Sequence, residues 1–161
     1  MTITIKRAVP PDCQAVLGLR TELFEGEMKL TGKTVEINAA DKWRLFHDTL
    51  GFLLDPNSIL LMAMDGEKAV GMVALQAGPT FGMLNRSAVS VVWLYVKPEY
   101  RNGEATALLI REGEKALNNQ DRNVLMQCAV RVANTEVMEA IKRLGYNPVA
   151  VVLEKNHERR H

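Results

Sequence analysis

The sequence predicts an α/β protein in which helices flank one mixed sheet. Short apolar runs separated by turn residues dominate the middle of the chain, and strand and helix patterns alternate in its last third. Consecutive strands followed by strand–helix alternation are typical of a sheet with both antiparallel and parallel pairs. The predicted order is β-α-α-β-β-β-α-β-α-β. We expect a single domain over residues 1–161, a length that suits one hydrophobic core.

The N-terminal third predicts one strand and two helices. TITIKRA (2–8) alternates like a strand, and the Pro-Pro-Asp that follows is expected to open a helix through AVLGLRTELF (15–24). Residues 25–38 show no apolar period and are expected to form a loop. Asn38 can cap a second helix, AADKWRLFHDTLGFLL. The predicted apolar face of that helix consists of Trp43, Phe46, Leu50 and Leu53.

The middle of the chain predicts three strands. SILLMAM (58–64) and AVGMVALQA (69–77) flank the DGEK segment, whose Asp-Gly pair is typical of a hairpin turn. GPTFGMLNR (78–86) is expected to be a turn region. SAVSVVWLYV (87–96) is then a long apolar strand.

The last third predicts two strand–helix units. A helix over 104–120 precedes a strand over 123–130, and a helix over 134–146 precedes a closing strand over 148–155. Gly145 is a suitable C-terminal residue for the second helix. Crossovers of this kind are expected to pair late strands in parallel. The predicted sheet-facing stripe of the first helix consists of Ala105, Leu109, Gly113, Ala116 and Leu117.

Composition and charge exclude several function classes. A formal net charge of +1 leaves no basic face of the kind that nucleic acid requires. The N-terminus lacks the apolar region of a signal peptide, and VVWLYV is far too short to span a bilayer. Cys13 and Cys128 have no metal or redox spacing, so we expect reduced thiols and a cytoplasmic protein.

Motifs for several other chemistries are missing. The sequence contains no G-x-S-x-G elbow, no H-E-x-x-H and no P-loop, and no paired Cys or His residues with metal spacing. Serine hydrolysis, zinc-dependent proteolysis and NTP hydrolysis of the P-loop type are therefore not predicted, and no metal is expected.

The segment LYVKPEYRNGEATALLI (94–110) carries a resemblance to a known family. Leu94, Val96, Pro98 and Arg101 fit an L-x-V-x-P strand end followed by an Arg-led turn and a Leu-rich helix. Together with Asn134 before the last helix and the L-G-Y that ends it, this segment resembles the GNAT superfamily of acyl-CoA-dependent N-acyltransferases. The resemblance covers nearly the whole chain.

The resemblance implies an N-acetyltransferase that moves an acetyl group from acetyl-CoA to a primary amine of a small molecule or protein. A pyrophosphate suits the unpaired N–H groups at a helix start, and the pantetheine arm can add to the strand end like another strand. By resemblance, the Leu94 N–H stabilises the oxyanion. The residues assigned to the cofactor are Leu94, Tyr95, Val96, Arg101, Asn102, Gly103, Glu104, Ala105, Thr106, Ala107 and Asn134.

The turn departs from the usual family pattern. Asn102, Glu104 and Thr106 replace the three usual turn residues, and Gly103 and Ala105 lie out of phase. RNGEAT fits better the R-G-G-x-A-A variant of GNAT-like proteins encoded in phage and prophage genomes. The Glu104 carboxylate suits the first turn of a helix and can face solvent while backbone N–H groups face a phosphate.

The catalytic residues depart further. Many GNAT enzymes have a tyrosine acid seven residues after the Asn, where this chain has Ile141, which its spacing predicts to be a core residue. The strand 87–96 has no Asp or Glu as a base. Ser90 is its only polar side chain placed by parity with Leu94, and a hydroxyl is a weak base. Polar residues on the expected acceptor side, none of them assigned a role, are Glu25, Glu27, Glu36 and His47.

Two function hypotheses therefore stand. The first is the acetyltransferase, in which an activated thioester, a positioned amine and an oxyanion donor supply the rate. The second is a non-catalytic GNAT-like module, of cellular or phage origin, that binds CoA or a protein partner. Oligomeric state stays open, with a homodimer the commonest assembly.

Overall fold

The computed structural model describes residues 2–30, 32, 36–80, 83–101, 104–118, 125–128 and 135–147. Within these ranges one sheet has five strands in the order β1-β2-β3-β4-β5. The strands are Ile3–Arg7 (β1), Ser58–Asp65 (β2), Lys68–Thr80 (β3), Met83–Val96 (β4) and Leu125–Cys128 (β5). The helices are Cys13–Leu30 (α1), Ala39–Leu54 (α2), Ala105–Asn118 (α3) and Thr135–Arg143 (α4).

The sheet is mixed, as predicted. Strands β1 to β4 pair antiparallel with their neighbours, and β5 pairs parallel with β4, from Ala88 opposite Leu125 to Val91 opposite Cys128. The predicted crossover through α3 therefore forms. The predicted closing strand over 148–155 lies outside the described residues. Among the helices that are described, none is long and apolar enough to cross a membrane.

Helices cover both faces of the sheet. One core cluster packs side chains of β2, β3 and β4, such as Val73 and Val91, against Leu109 and Ile110 of α3. The other packs the opposite side chains, such as Met72, against Val16 and Leu19 of α1, with Phe52 and Leu53 of α2 at its edge. These are called the α3 face and the α1 face below.

Several helix ends follow their predicted chemistry. The Asn38 side chain accepts the Asp41 N–H at 3.0 Å and caps α2. At the other end of the chain, Gly145 has φ 93°. The Gly145 N–H bonds the Lys142 carbonyl at 2.9 Å and the Tyr146 N–H bonds the Ile141 carbonyl at 3.4 Å, the two bonds of a Schellman motif.

Two predicted loops are largely regular structure. Residues 25–30 belong to α1, because Glu, Met, Lys and Leu are good helix formers and a half-exposed helix end needs no apolar period. Most of the predicted turn over 78–86 is strand, with Gly78 opposite Ala88 and Pro79 opposite Ser87. Pairing with β4 outweighs the low strand preference of Gly and Pro there.

The predicted apolar face of α2 is also rotated. Trp43 is 65% exposed, and the buried side of the helix carries Thr49, with Phe52 and Leu53 on the α1-face core. Thr49 turns inward because its hydroxyl accepts from Arg20 of α1 at 2.8 Å and donates to the Leu45 carbonyl at 2.6 Å. A hydrogen-bonded polar residue is thus buried on a side of α2 that the predicted apolar face did not include.

A β-bulge in β4 determines which face of the sheet each later residue of this strand occupies. Ala74 of β3 lies opposite Trp93, whereas the next residue, Leu75, lies opposite Val91, so Val92 is an extra residue. Before the bulge, Val91 belongs to the α3-face core; after it, Trp93 packs on the α1 face. The bulge therefore reverses the alternation of side chains along β4.

Gly71 brings β3 very close to the end of β4. A Cβ atom at Gly71 would lie 2.9 Å from the Tyr95 carbonyl oxygen and 3.0 Å from Val96 Cγ2. No rotamer change can relieve contact with a backbone oxygen. A side chain at this position would therefore displace the strand end.

We expect Gly71→Ala to lower the free energy of unfolding by about 1–3 kcal/mol, the usual range for overpacking a core. The matched control is Gly78→Ala, also in β3, where a Cβ would have no neighbour within 4 Å. Urea unfolding of both variants measures the difference. Equal stability of the two variants would contradict the close approach.

Candidate active site

The end of β4 presents backbone groups to the side of the sheet where β5 lies. The Lys97 N–H donates to the Val70 carbonyl of β3 at 2.9 Å. Backbone groups alternate sides along a strand, so the N–H and C=O groups of Leu94 and Val96 point away from β3. The described pairing with β5 ends at Val91. Leu94 therefore lies three residues beyond the last described pair.

Arg101 is anchored to this strand end. A 3-10 turn, Pro98–Tyr100, joins β4 to Arg101, whose Nε donates to the Val96 carbonyl at 3.0 Å. The Arg101 guanidinium carbon lies 5.9 Å from the centre of the Tyr95 ring. The side chain thus uses Nε for the strand and keeps its two terminal nitrogens for other contacts.

The start of α3 supplies further donors. The first helical bond joins the Leu108 N–H to the Glu104 carbonyl at 2.8 Å. The N–H groups of Ala105, Thr106 and Ala107 precede that bond and have no acceptor within the helix. Glu104 is exposed and Ala105 is buried. Asn102, Gly103 and Asn134 lie outside the described residues.

The α1 face of the strand end holds a polar cluster that the sequence did not predict. The Tyr95 hydroxyl donates to Glu22 Oε2 of α1 at 3.0 Å, and Lys97 Nζ lies 2.8 Å from Glu22 Oε1. Tyr95 is 8% exposed. Glu22 is 73 positions away from Tyr95 in sequence. Only the alternation of Tyr95 and Lys97 on one strand face could have suggested a shared partner.

A second contact joins α1 and α2 to the residue after the bulge. The Arg20 guanidinium lies 3.8 Å above the Trp93 ring, and one of its nitrogens donates to Thr49 and to the Leu45 carbonyl. Burial lowers the pKa of Arg20, an effect that Asp48 partly offsets. Arginine nevertheless stays charged, so the cation orders this corner of the α1 face.

Ser90 and Leu94 do not share a face. Ser90 lies opposite Gln76, on the α1 face, while Leu94 packs on the α3-face core. The parity argument that placed them together is wrong because the Val92 bulge lies between them. Ile141, by contrast, is 6% exposed, which confirms the prediction of a core residue.

The remaining polar candidates are dispersed. Glu25, Glu36 and His47 are exposed, and Glu27 is half-buried. The His47 ring packs edge-on against Trp43, with 4.4 Å between centroids. The described part of the chain holds no group of three or more His, Cys, Asp or Glu side chains that could bind a metal ion.

Tyr95 makes the stability of the protein depend on pH in the alkaline range. Burial first, and then the hydrogen bond and charge of Glu22, raise the pKa of Tyr95 to about 12, from about 10 in an unfolded chain. Its contribution to stability is complete below pH 10 and is lost as the pH rises through 12, because the unfolded chain loses the proton first. We expect urea unfolding to show a smaller alkaline loss of stability in Tyr95→Phe. An equal loss in this variant would contradict the assignment.

Comparisons with known proteins agree with the fold. No curated protein sequence matches the chain significantly. Solved structures do match. AAC(6')-Iy in complex with a bisubstrate analogue gives a TM-score of 0.78 at 16% identity, covering 98% of this chain and 99% of that one. AAC(6')-IG from Acinetobacter haemolyticus gives a TM-score of 0.74 at 15% identity, covering 98% and 99%.

A possible acetyltransferase from Clostridium difficile gives a TM-score of 0.73 at 16% identity, covering 99% and 100%. At such identities these likenesses show the fold alone. The family model described as "Acetyltransferase (GNAT) family" matches residues 21–146, most of the chain and all of the strand–turn–helix unit. The protein therefore belongs to the GNAT acetyltransferase family.

Proposed function

We propose that this protein transfers an acetyl group from acetyl-CoA to a primary amine. One observation carries the proposal: among the described residues, the bulged end of β4 and the start of α3 present backbone N–H groups without a partner at two ends of one short turn. Leu94 and Val96 turn their polar groups away from β3, and the first N–H groups of α3 have no helical acceptor. Such a pair of backbone sites suits an amide-bearing arm that ends in a pyrophosphate.

The pyrophosphate would lie at the start of α3. The donors there are the N–H groups of Ala105, Thr106 and Ala107, with Asn102 and Gly103 just before them in sequence. Arg101 adds a charge-assisted contact through its terminal nitrogens, since its Nε is already held by Val96. Glu104 is exposed and can remain in solvent. Asn134 is proposed to contact the pantetheine arm or the acceptor side.

The backbone performs the chemistry in this mechanism. The neutral amine attacks the thioester carbon directly in a ternary complex, and the Leu94 N–H stabilises the oxyanion that forms. Collapse of this intermediate breaks the C–S bond and releases the CoA thiolate, and the nitrogen loses its extra proton to water. Tyr95 lies beside this donor and is held through Glu22, which fixes the strand end. Ile141 is buried in the core and supplies no acid for the departing thiolate. Positioning and the activated thioester must therefore provide most of the rate.

Aminoglycosides are the first acceptors to test. Two of the similar solved structures are aminoglycoside N-acetyltransferases by their names, AAC(6')-Iy and AAC(6')-IG. An amine panel should therefore contain aminoglycosides, linear polyamines and lysine peptides. Each is tested with acetyl-CoA while release of free thiol is followed.

A thermal-shift titration tests the proposal first. Acetyl-CoA that binds the native state must raise its melting temperature. No stabilisation by millimolar acetyl-CoA or CoA would refute the enzyme. Stabilisation without thiol release across the amine panel would instead favour the binding module, for which the buried Ile141 in place of a tyrosine acid is the supporting observation.

The role of Arg101 gives a sharper prediction. Arg101→Gln should weaken CoA binding about tenfold, the cost of losing a hydrogen bond to a charged group. Binding of pantetheine, which lacks the pyrophosphate, should change little. Isothermal titration of both ligands measures the two effects, with Arg111→Gln on the exposed side of α3 as the control. Equal weakening of both ligands would show that Arg101 only supports the strand.

A further inference from the structure

A row of polar residues crosses the sheet on the α1 face. Ser58 of β2 lies opposite Gln76 of β3, and Gln76 lies opposite Ser90 of β4. Opposed side chains on neighbouring strands are about 4.5–5.5 Å apart at Cβ. Leu60, two positions after Ser58 along β2, lies on the same face and belongs to the α1-face core. This polar row therefore borders an apolar face.

Asp55, directly after α2, fixes the direction of the hydrogen bonds in this row. Asp55 Oδ2 accepts from Ser58 Oγ at 2.9 Å and from Gln76 Nε2 at 3.2 Å, while Oδ1 accepts the Asn57 N–H at 2.9 Å. These bonds, the one from Asn57 first, lower the pKa of Asp55. An ionised carboxylate only accepts hydrogen bonds, so Gln76 must turn its NH₂ group to Asp55. The Gln76 carbonyl oxygen then points away from Asp55.

The end of the row formed by Gln76 and Ser90 carries two side-chain oxygens that can accept hydrogen bonds from a ligand. Ser58 is 6% exposed, and its hydroxyl donates a hydrogen bond to Asp55. Gln76 is exposed and Ser90 is half-buried. Within the ranges that the structure describes, neither Gln76 Oε1 nor Ser90 Oγ has a hydrogen-bond partner. Gly78, two positions further along β3 on the same face, is also exposed, so α1 and α2 do not cover this end of the face.

The row lies next to the proposed reaction centre. Ser90 precedes the bulge residue Val92 by two positions, and Leu94 follows Val92 by two. At about 3.3 Å per residue, Ser90 and Leu94 are at most about 13 Å apart along the strand. Val92 is 40% exposed although β4 is an interior strand. The bulge between Ser90 and Leu94 is therefore accessible to a small molecule.

We propose that Gln76 and Ser90 form the acceptor subsite, where they accept hydrogen bonds from the N–H groups of a primary ammonium or amine, and that Asp55 orients Gln76 for this task. The assignment rests on the proposed function. It also names the ligand chemistry. The row offers acceptor oxygens and one negative charge, so it favours a cation with N–H donors over a carboxylate or a quaternary ammonium.

A titration that needs neither CoA nor turnover tests the subsite. The probe is 1,4-diaminobutane, added to ¹⁵N-labelled protein while the side-chain amide signal of Gln76 is followed by NMR. The control ligand is its hexa-N-methylated counterpart, which keeps both charges but has no N–H group. We expect a saturable shift of the Gln76 signal with the diamine alone. No shift, or the same shift with both ligands, would overturn the proposal.

Variants separate recognition from stability. Gln76→Leu should weaken diamine binding about tenfold, and Asp55→Asn should weaken it through loss of orientation. In the Gln76→Leu background, Asp55→Asn should have no further effect, because the two residues act through one contact. Gln14→Leu, an exposed glutamine of α1, is the matched control. Should Asp55→Asn fail to fold, Gln76→Leu alone decides.

CoA binding is measured in parallel on every variant. The subsite variants should keep the thermal stabilisation by CoA that the parent shows. If the diamine binds at Gln76 but CoA stabilises nothing, the proposed acetyl transfer fails while the amine subsite stands. If Gln76→Leu leaves the affinity for diamine unchanged, the subsite fails whatever CoA does.

Discussion

The extra residue at Val92 is the constraint on which the site depends. In a regular strand, Val89, Val91, Trp93 and Tyr95 would all face α3. The bulge instead turns Trp93 and Tyr95 to α1 and leaves Leu94 and Val96 against α3. Bulges bend a strand and end regular pairing, which is what a site between β4 and β5 requires. Gly71 lets β3 follow the displaced strand end closely.

Charged groups hold the strand in this reversed phase. A bulge adds twist and loses ladder hydrogen bonds, so other contacts must order the strand beyond it. Here α1 provides them on both sides of its axis, with Arg20 over Trp93 and Glu22 between Tyr95 and Lys97. Arg20, Glu22, Tyr95 and Lys97 each have a hydrogen-bond or ion-pair partner, which offsets the cost of their desolvation. The α1 helix therefore helps to set the geometry of the proposed oxyanion donor without contacting the reacting atoms.

Helix ends and turns could be predicted from the sequence, whereas the register of β4 against its neighbouring strands could not. The Asn38 cap, the Gly145 helix end and the Pro98–Tyr100 turn follow from residues close in sequence, and the strand–helix order predicted the parallel strand pair. The bulge does not, because VVWLYV is apolar on both faces and offers no phase to read. A one-residue slip exchanges the two faces of a strand, so the misplaced phase also hid the pairs Tyr95–Glu22 and Gln76–Ser90.

A site built from backbone groups also explains why the fold can persist while sequences diverge. The Leu94 N–H and the first N–H groups of α3 exist whatever side chains stand there, so substitution changes them little. What must be kept is the bulge, the close approach at Gly71 and a small residue such as Ala105 at the helix start. In the proposed acceptor subsite the contacts come from side chains instead, those of Gln76 on β3 and Ser90 on β4. The proposed site thus has a half made of backbone groups, which depends little on sequence, and a half made of side chains, which depends on it. Differences in substrate between members of this family are expected in the side-chain half.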